Sequence, residues 1–297
     1  MVTIRTILCP FDGSEFSRRA LDQAVVLGRW YKAGITLLHV HADQPVSAEA
    51  AWDAALAPDA AVHKRLVAWL ADAAEPARAA GVVVDARVVH GRPKAEILRA
   101  AREVPAGLLV MGSHGRSGFD RLVLGSVTEK VLRSAPCPVF TVSERTVSPH
   151  SPERPPFESI VCPTDFSPSS QRAIEYSLSL AQESYGRLTL VHALELPQEE
   201  EVSLSRFDLG GYHAALEQAA REQLKSILPV GARNWCKPEH VVARGKAYRV
   251  ILETAQLRAA DLIVIGIHGR NPVDLALVGS TTHHLVCAAP CPVLRVL

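Results

Sequence analysis

The sequence predicts an α/β fold: two tandem domains, each a five-stranded parallel sheet with helices on both faces. Three observations predict it. The first is self-similarity at the scale of a whole domain. Ile7-Leu8-Cys9-Pro10-Phe11-Asp12-Gly13-Ser14 returns as Ile160-Val161-Cys162-Pro163-Thr164-Asp165-Phe166-Ser167. Leu37-Leu38-His39-Val40 returns as Leu190-Val191-His192-Ala193, and Ala135-Pro136-Cys137-Pro138-Val139 as Ala289-Pro290-Cys291-Pro292-Val293, always 153 or 154 residues on. The second is alternation of short β-rich runs with helical stretches, which demands a parallel sheet covered on both faces. The third is Gly112-Ser113-His114-Gly115, closing at Gly125-Ser126, spelled again as Gly266-Ile267-His268-Gly269 closing at Gly279-Ser280. Each copy of that motif follows a strand and precedes a helix, which puts it on the rim where such sheets bind ligands.

In the first copy Thr3–Cys9 reads as a buried strand. Ser17–Lys32 reads as a helix, with Ala20, Ala24, Leu27 and Tyr31 on one face. Ile35–His41 is the second strand. Ala60–Ala80 is a long helix whose apolar stripe runs through Leu66, Trp69, Leu70 and Ala73. Val82–Val89 is the third strand, Lys94–Glu103 a helix and Leu108–Met111 the fourth strand. Gly125–Ser134 is the last helix and Val139–Ser143 the last strand. Proline density between Glu144 and Phe157 forbids a helix or inner strand there. The expected organisation is therefore domain 1–144, linker 145–157 and domain 158–297. Asp43–Pro58 and Glu195–Gly211 differ between the copies and are either lids or plain surface loops.

Charge is balanced, with 32 Lys and Arg against 31 Asp and Glu. Nucleic acid and anionic membranes need a basic surplus, so neither is an expected partner. No apolar run reaches the ~18 residues of a membrane span. The start enters a strand without a signal-peptide apolar region or cleavage site, so a cytoplasmic location is expected. The six cysteines (Cys9, Cys137, Cys162, Cys236, Cys287, Cys291) form no Cys-x-x-Cys pair. Four pair off by repeat position beside a proline (Cys9 with Cys162, Cys137 with Cys291) and are expected to be small buried apolar residues in a reducing compartment.

Four positions per copy converge on the ligand rim. They are Asp12 or Asp165 after the first strand, the end of the second strand, the Gly-x-x-Gly and the Gly-Ser opening the last helix. Glycine takes positive φ and lets a ligand approach the backbone closely, and a helix start offers unpaired N–H groups to an anion. The pattern is that of a phosphate cradle. Asp12 and Asp165 either bond a ribose or base, or cap the following helix. Ser126 and Ser280 carry the same alternative. His114 and His268 either touch phosphate or pack the loop. His39 and His41 share one strand face, but no third metal ligand stands at a suitable spacing. No P-loop, nucleophile elbow or kinase signature occurs, and no general base for phosphoryl transfer is evident.

On Pro10-Phe11-Asp12-Gly13-Ser14, Pro163-Thr164-Asp165-Phe166-Ser167-Pro168, the paired glycine motifs and the two Ala-Pro-Cys-Pro-Val stretches, both copies resemble the universal stress protein family. The chain as a whole resembles its tandem, ATP-binding form. The resemblance implies Rossmann-like (adenine nucleotide alpha hydrolase-like) domains. It also implies ATP phosphates and ribose held by Gly112, Gly115, Gly125, Ser126 and Val127, with Arg116 beside them. In the second copy the matching residues are Gly266, Gly269, Gly279, Ser280 and Thr281, with Arg270. Asp12 and Asp165 would lie near base and ribose, and Val40 and Ala193 would offer backbone groups to adenine. Two ATP sites with Mg²⁺, acting as a nucleotide sensor or switch with at most slow hydrolysis, are the functional expectation. The other readings are a stress-response scaffold with degenerate sites, its protein partners unknown, and an adenylate- or phosphate-transferring enzyme. Phe166 is expected to narrow the second pocket and Ile267, where the first copy has Ser113, to crowd a phosphate. The last strands are expected to pair the halves as an intrachain pseudo-dimer, and whole chains as a homodimer remain open.

Overall fold

The computed structural model describes residues 2–42, 59–115, 124–146, 155–195, 209–267 and 279–297. The chain forms two compact units whose bodies are Thr3–Glu144 and Pro155–Leu297. Most of the expected linker (147–154), and most of the two candidate lids, lie outside the described residues. Phe157, at the expected linker's end, is buried.

The first unit runs β1 (Thr6–Pro10), α1 (Glu15–Tyr31), β2 (Gly34–His41), α2 (Asp59–Ala79), β3 (Val84–His90), α3 (Pro93–Glu103), β4 (Leu108–Gly112), α4 (Ser126–Ser134) and β5 (Val139–Val142). Its strands lie in the order β3-β2-β1-β4-β5. Every pairing among them is parallel. Central β1 starts at Thr6 rather than Thr3, because its register with β2 opens at the Thr6–Gly34 pair. Ile7, Leu8 and Cys9 are completely enclosed, and burying a large apolar side chain of this kind contributes about 1.5–3 kcal/mol. Helix α1 packs on β1 and β4, α2 on β2 and β3, and α3 on β1, β2 and α4. Parallel strands joined through helices take right-handed crossovers as a rule, and a strand order that reverses at β1 then sends helices to both faces. Strand order reverses between β1 and β4, and the carboxyl ends of those two strands frame the crevice where such folds take ligands.

The second unit repeats the plan: β6 (Ser159–Pro163), α5 (Pro168–Ser184), β7 (Arg187–Leu194), α6 (Leu209–Ile227), β8 (Lys237–Arg244), α7 (Ala247–Leu257), β9 (Leu262–Ile265), α8 (Ser280–Ala288) and β10 (Val293–Arg295). Its strands are also all parallel, with β6 between β7 and β9. One difference in sequence has a structural role. Asp261 accepts from the N–H groups of Glu158 (2.6 Å) and Ser159 (3.0 Å) and so fixes the start of β6. Gly107 stands there in the first unit, close against the Ile4 backbone.

Helices α1 and α5 start in the same way. Ser14 and Ser167 are N-caps whose hydroxyls accept from the N–H of Ser17 and Ser170, each at 3.2 Å. Both helices end on a left-handed residue, Lys32 (φ 52°) and Tyr185 (φ 51°). All six cysteines are free, and all except Cys287 are buried. No helix among the described residues is long and apolar enough to cross a membrane.

Candidate functional site

A cavity of about 490 Å³ opens at the β1/β4 switch point of the first unit. The exit of β1 supplies Asp12, the end of β2 Val40, the end of β4 Gly112 and Gly115, and the start of α4 Gly125, Ser126 and Val127. The structure thus brings together seven of the eight first-copy residues that the sequence nominates. The eighth, Arg116, lies outside the described residues. Leu38, Val40, Pro93, Ile97 and Met111 give the cavity an apolar wall, while Asp12, Ser17, His114, Ser126 and Thr128 supply polar groups.

In the first unit the motif glycines Gly112, Gly115 and Gly125 are needed for room, which corrects the expectation of positive φ. Among the described residues, glycines with positive φ are Gly13, Gly81, Gly91, Gly231 and Gly245, and none belongs to the motif. A Cβ on Gly112 would lie 2.7 Å from Phe16 Cβ and 2.9 Å from the Phe16 carbonyl carbon, where α1 crosses the end of β4. On Gly115 it would lie 2.9 Å from Asp12 Oδ2, so this glycine keeps the cavity open beside the carboxylate. On Gly125 it would lie 3.1 Å from Ser113 O. That last approach is itself a bond, since the Gly125 N–H donates to Ser113 O at 3.0 Å. Thr128 Oγ1 donates to Gly112 O at 2.9 Å. Two hydrogen bonds therefore close the motif into one ring of backbone, whatever course the intervening loop takes.

Of the two roles that the sequence left open for Asp12, the structure shows the one at the helix start. Its Oδ1 accepts from the N–H (3.0 Å) and hydroxyl (2.6 Å) of Ser14 and so positions the α1 cap. Its other oxygen borders the cavity beside Gly115. Ser126 is not the cap of α4: Gly125 is the N-cap, and no side-chain cap hydrogen bond is made there among the described residues. A helix start without a side-chain cap is the kind of backbone that suits an anion.

Sequence reasoning missed three contributors. His39, weighed as a metal ligand, is instead a clamp. Its Nδ1 lies 2.8 Å from Phe11 O, and because a carbonyl only accepts, that nitrogen carries the proton. Trp69 meets both His39 (5.0 Å, edge-on) and Phe11 (5.3 Å), locking the loop that carries Asp12. Thr128 was passed over, although the repeat flags it: Gly-Ser-x-Thr occurs at the start of both α4 and α8. No group of His, Cys, Asp and Glu among the described residues could hold a metal ion.

His114 stands apart. It lines the cavity, is only 8% exposed and packs its ring 5.1 Å from that of Phe16. Its Nδ1 shares a 2.9 Å hydrogen bond with the hydroxyl of Ser113, which is completely buried. Its Nε2 is buried and has no hydrogen-bond partner among the described residues. A buried polar atom left in that state costs about 1–3 kcal/mol.

In the second unit Asp165, Ala193, Gly266, Gly279, Ser280 and Thr281 occupy the matching positions at the ends of β6, β7 and β9 and the start of α8. Gly269 and Arg270 lie outside the described residues. Burial pushes the Asp165 carboxyl up, but hydrogen bonds from Ser167 and Ser170 outweigh it and hold the group below the ordinary carboxylate value. Gly266 has even less room than Gly112, its Cβ falling 2.4 Å from Ser169 Oγ and 2.5 Å from Ser169 O. The clamp recurs as His192 Nδ1 on Thr164 O at 2.8 Å. Here the histidine is covered by Phe166, at 4.4 Å, in place of a tryptophan. Phe166 has φ 64° where the first unit has Gly13 at φ 80°.

Comparison with known proteins gives one consistent answer. The model of the Universal stress protein family matches residues 3–143 and again 156–296. A universal stress protein of Bacillus subtilis (strain 168) is 34% identical over 143 residues, covering 46% of this chain and 97% of that protein. One from Thermus aquaticus is 37% identical over 146 residues, covering 46% of this chain and 98% of its own length. Among solved structures, a universal stress protein from Archaeoglobus fulgidus DSM 4304 superimposes with a TM-score of 0.67 at 21% identity, covering 98% of this chain and 97% of that one.

Proposed function

The chain belongs to the universal stress protein family and carries its domain twice, and from that premise we propose that it is a cytoplasmic ATP sensor with one site in each half. The observation that carries this reading is the first-unit cavity. It joins an apolar wall wide enough for a planar base, a carboxylate at Asp12 and an uncapped helix start at Gly125–Ser126. An adenine nucleotide presents a ring, ribose hydroxyls and phosphates in that order, and those are the groups such surfaces accept.

In the first half the base would lie against Val40 and the ribose near Asp12. Gly112, Gly115, Arg116, Gly125, Ser126 and Val127 would surround the phosphates. In the second half Asp165, Ala193, Gly266, Gly269, Arg270, Gly279, Ser280 and Thr281 would do the same. Mg²⁺ suits this donor set, because it is held largely by phosphates and water and needs few protein ligands; the Ser126 hydroxyl would be the protein group to help hold it. Binding stabilises the folded form and shifts its choice of partners, which is how a switch without fast chemistry works. Turnover should be slow, since Asp12, the carboxylate lining the cavity, has one oxygen committed to Ser14 and the other placed near the ribose in this reading, away from the phosphates.

Calorimetric titration of Mg²⁺-ATP tests the reading, on the wild type and on Gly115→Asp and Gly269→Asp singly and together. Asp at 115 would set a second carboxylate against Asp12 and fill the cavity. Binding near two per chain, losing one site with each substitution, is the expected result. No binding by folded, nucleotide-free protein would sink the ATP reading and leave an interaction scaffold. Hydrolysis faster than about 1 s⁻¹ would instead indicate an enzyme. Sedimentation with and without ATP would show whether whole chains pair.

A further inference from the structure

We propose that His114 is a phosphate-recognition residue of the first-half site, its Nε2 donating a hydrogen bond to a phosphate oxygen of the bound adenine nucleotide. The inference rests on the nucleotide reading above and assigns a role that glycines and a helix start do not fill.

His114 is held rather than free to swing. Ser113 engages Nδ1 at 2.9 Å, and Phe16 lies against the ring at 5.1 Å. Gly125, the N-cap of α4, approaches so closely that a Cβ there would lie 3.3 Å from His114 Cα. The ring therefore sits between the two ends of the glycine motif, beside the helix start suited to an anion. With Nδ1 satisfied, the buried Nε2 is what remains unpaired among the described residues. When the Ser113 hydroxyl donates to Nδ1, the neutral ring must carry its proton on Nε2. The other neutral tautomer, with Nδ1–H donating to Ser113, would leave Nε2 an acceptor, so the assignment commits to the tautomer in which Ser113 donates. The partner that answers a buried donor beside a helix N-terminus is an anionic oxygen.

The consequence is selectivity for the phosphates over the nucleoside. The test compares ATP, ADP and adenosine by calorimetry on the full chain, using His114→Phe and His114→Gln. Both variants are combined with Gly269→Asp, so that the first-half site is read alone. Phenylalanine keeps the ring packing on Phe16 and removes the nitrogens, whereas glutamine can place an amide N–H near the Nε2 position. The expected result is a loss of about tenfold in ATP affinity for His114→Phe, corresponding to about 1.4 kcal/mol, with adenosine affinity unchanged and partial recovery in His114→Gln. A second measurement needs no folded variant: the His114 Nε2 resonance of the wild type should shift on adding ATP and stay in place with adenosine. Equal ATP affinity in wild type and His114→Phe, or equal losses for ATP and adenosine, would overturn the assignment while leaving the nucleotide reading intact. If wild type binds none of the three ligands, both fail.

Discussion

At the residue scale, each glycine of the motif pair has its own reason, and the reasons separate experimentally. Gly112 and Gly266 are pinned by the helices that follow β1 and β6, since a methyl there would lie 2.7 Å from Phe16 Cβ or 2.4 Å from Ser169 Oγ. Gly279 has nothing among the described residues within 4 Å of its Cβ position, and its φ of −50° is open to any residue. Gly266→Ala should therefore destabilise the fold by about 1–3 kcal/mol, the usual cost of forcing a methylene into a packed site. Gly279→Ala should cost less than about 1 kcal/mol, the loss of a modest N-cap. Urea denaturation of the two variants decides this, and equal costs would refute the packing account. The sequence spelled these glycines clearly, but of the causes it implied, positive φ is not the one at work in the described motif glycines. A glycine needed for space and one needed for positive φ look identical in one dimension. Space is set by a helix that returns from elsewhere in the chain, as Phe16 and Ser169 do.

At the scale of elements, most of the fold was legible in advance. Apolar runs such as Leu108–Met111 and the α1 stripe through Ala20, Ala24 and Leu27 carry their own periodicity, and the tandem repeat doubles every observation. Boundaries were harder. β1 loses Thr3–Arg5 because its neighbour β2 begins pairing only at Gly34. The clamps on the site were not legible at all. Alternation puts His39 on a strand face but cannot say that Phe11 O waits across the next strand. Helix ends also differ from expectation in chemistry. Helix α5 terminates on Tyr185 with φ 51° and the ring largely exposed (76%). A side chain in left-handed backbone costs roughly 1–2 kcal/mol, part of which returns as unfolded-state entropy when glycine replaces it. Tyr185→Gly should accordingly raise stability by about 0.5–1 kcal/mol, read as a higher urea midpoint at unchanged slope. Phe166→Gly would relieve similar backbone strain but uncover His192, so it should stabilise less than Tyr185→Gly.

For the whole molecule, the cysteines report on global folding. Burial pushes the thiols of Cys9 and Cys162 up to about 12. The negative charge of Asp22 adds to the effect at Cys9, while a hydrogen bond with Ser177 partly opposes it at Cys162. The folded values lie above the unfolded one of 9.0. The stabilising contribution of the neutral thiols is therefore complete below about pH 9 and is lost as pH rises toward 12, because only the unfolded chain releases those protons. Iodoacetamide at pH 8 should leave Cys9 and Cys162 untouched for as long as the protein stays folded and modify both in urea, with mass spectrometry as the readout. Modification of either in the native state would contradict the enclosed cores. The strand order has a further consequence, in time rather than space. Each half builds its central strand first: β1 meets β4 at Ile7–Leu108, and β6 meets β9 at Ile160–Leu262. A ribosome adding about 5–20 residues per second needs roughly 5–20 s to bring each second neighbour into being. For that interval a short, almost wholly apolar strand waits with one edge bare. Each half of this protein is thus exposed to aggregation during its own synthesis, in an order set by its topology.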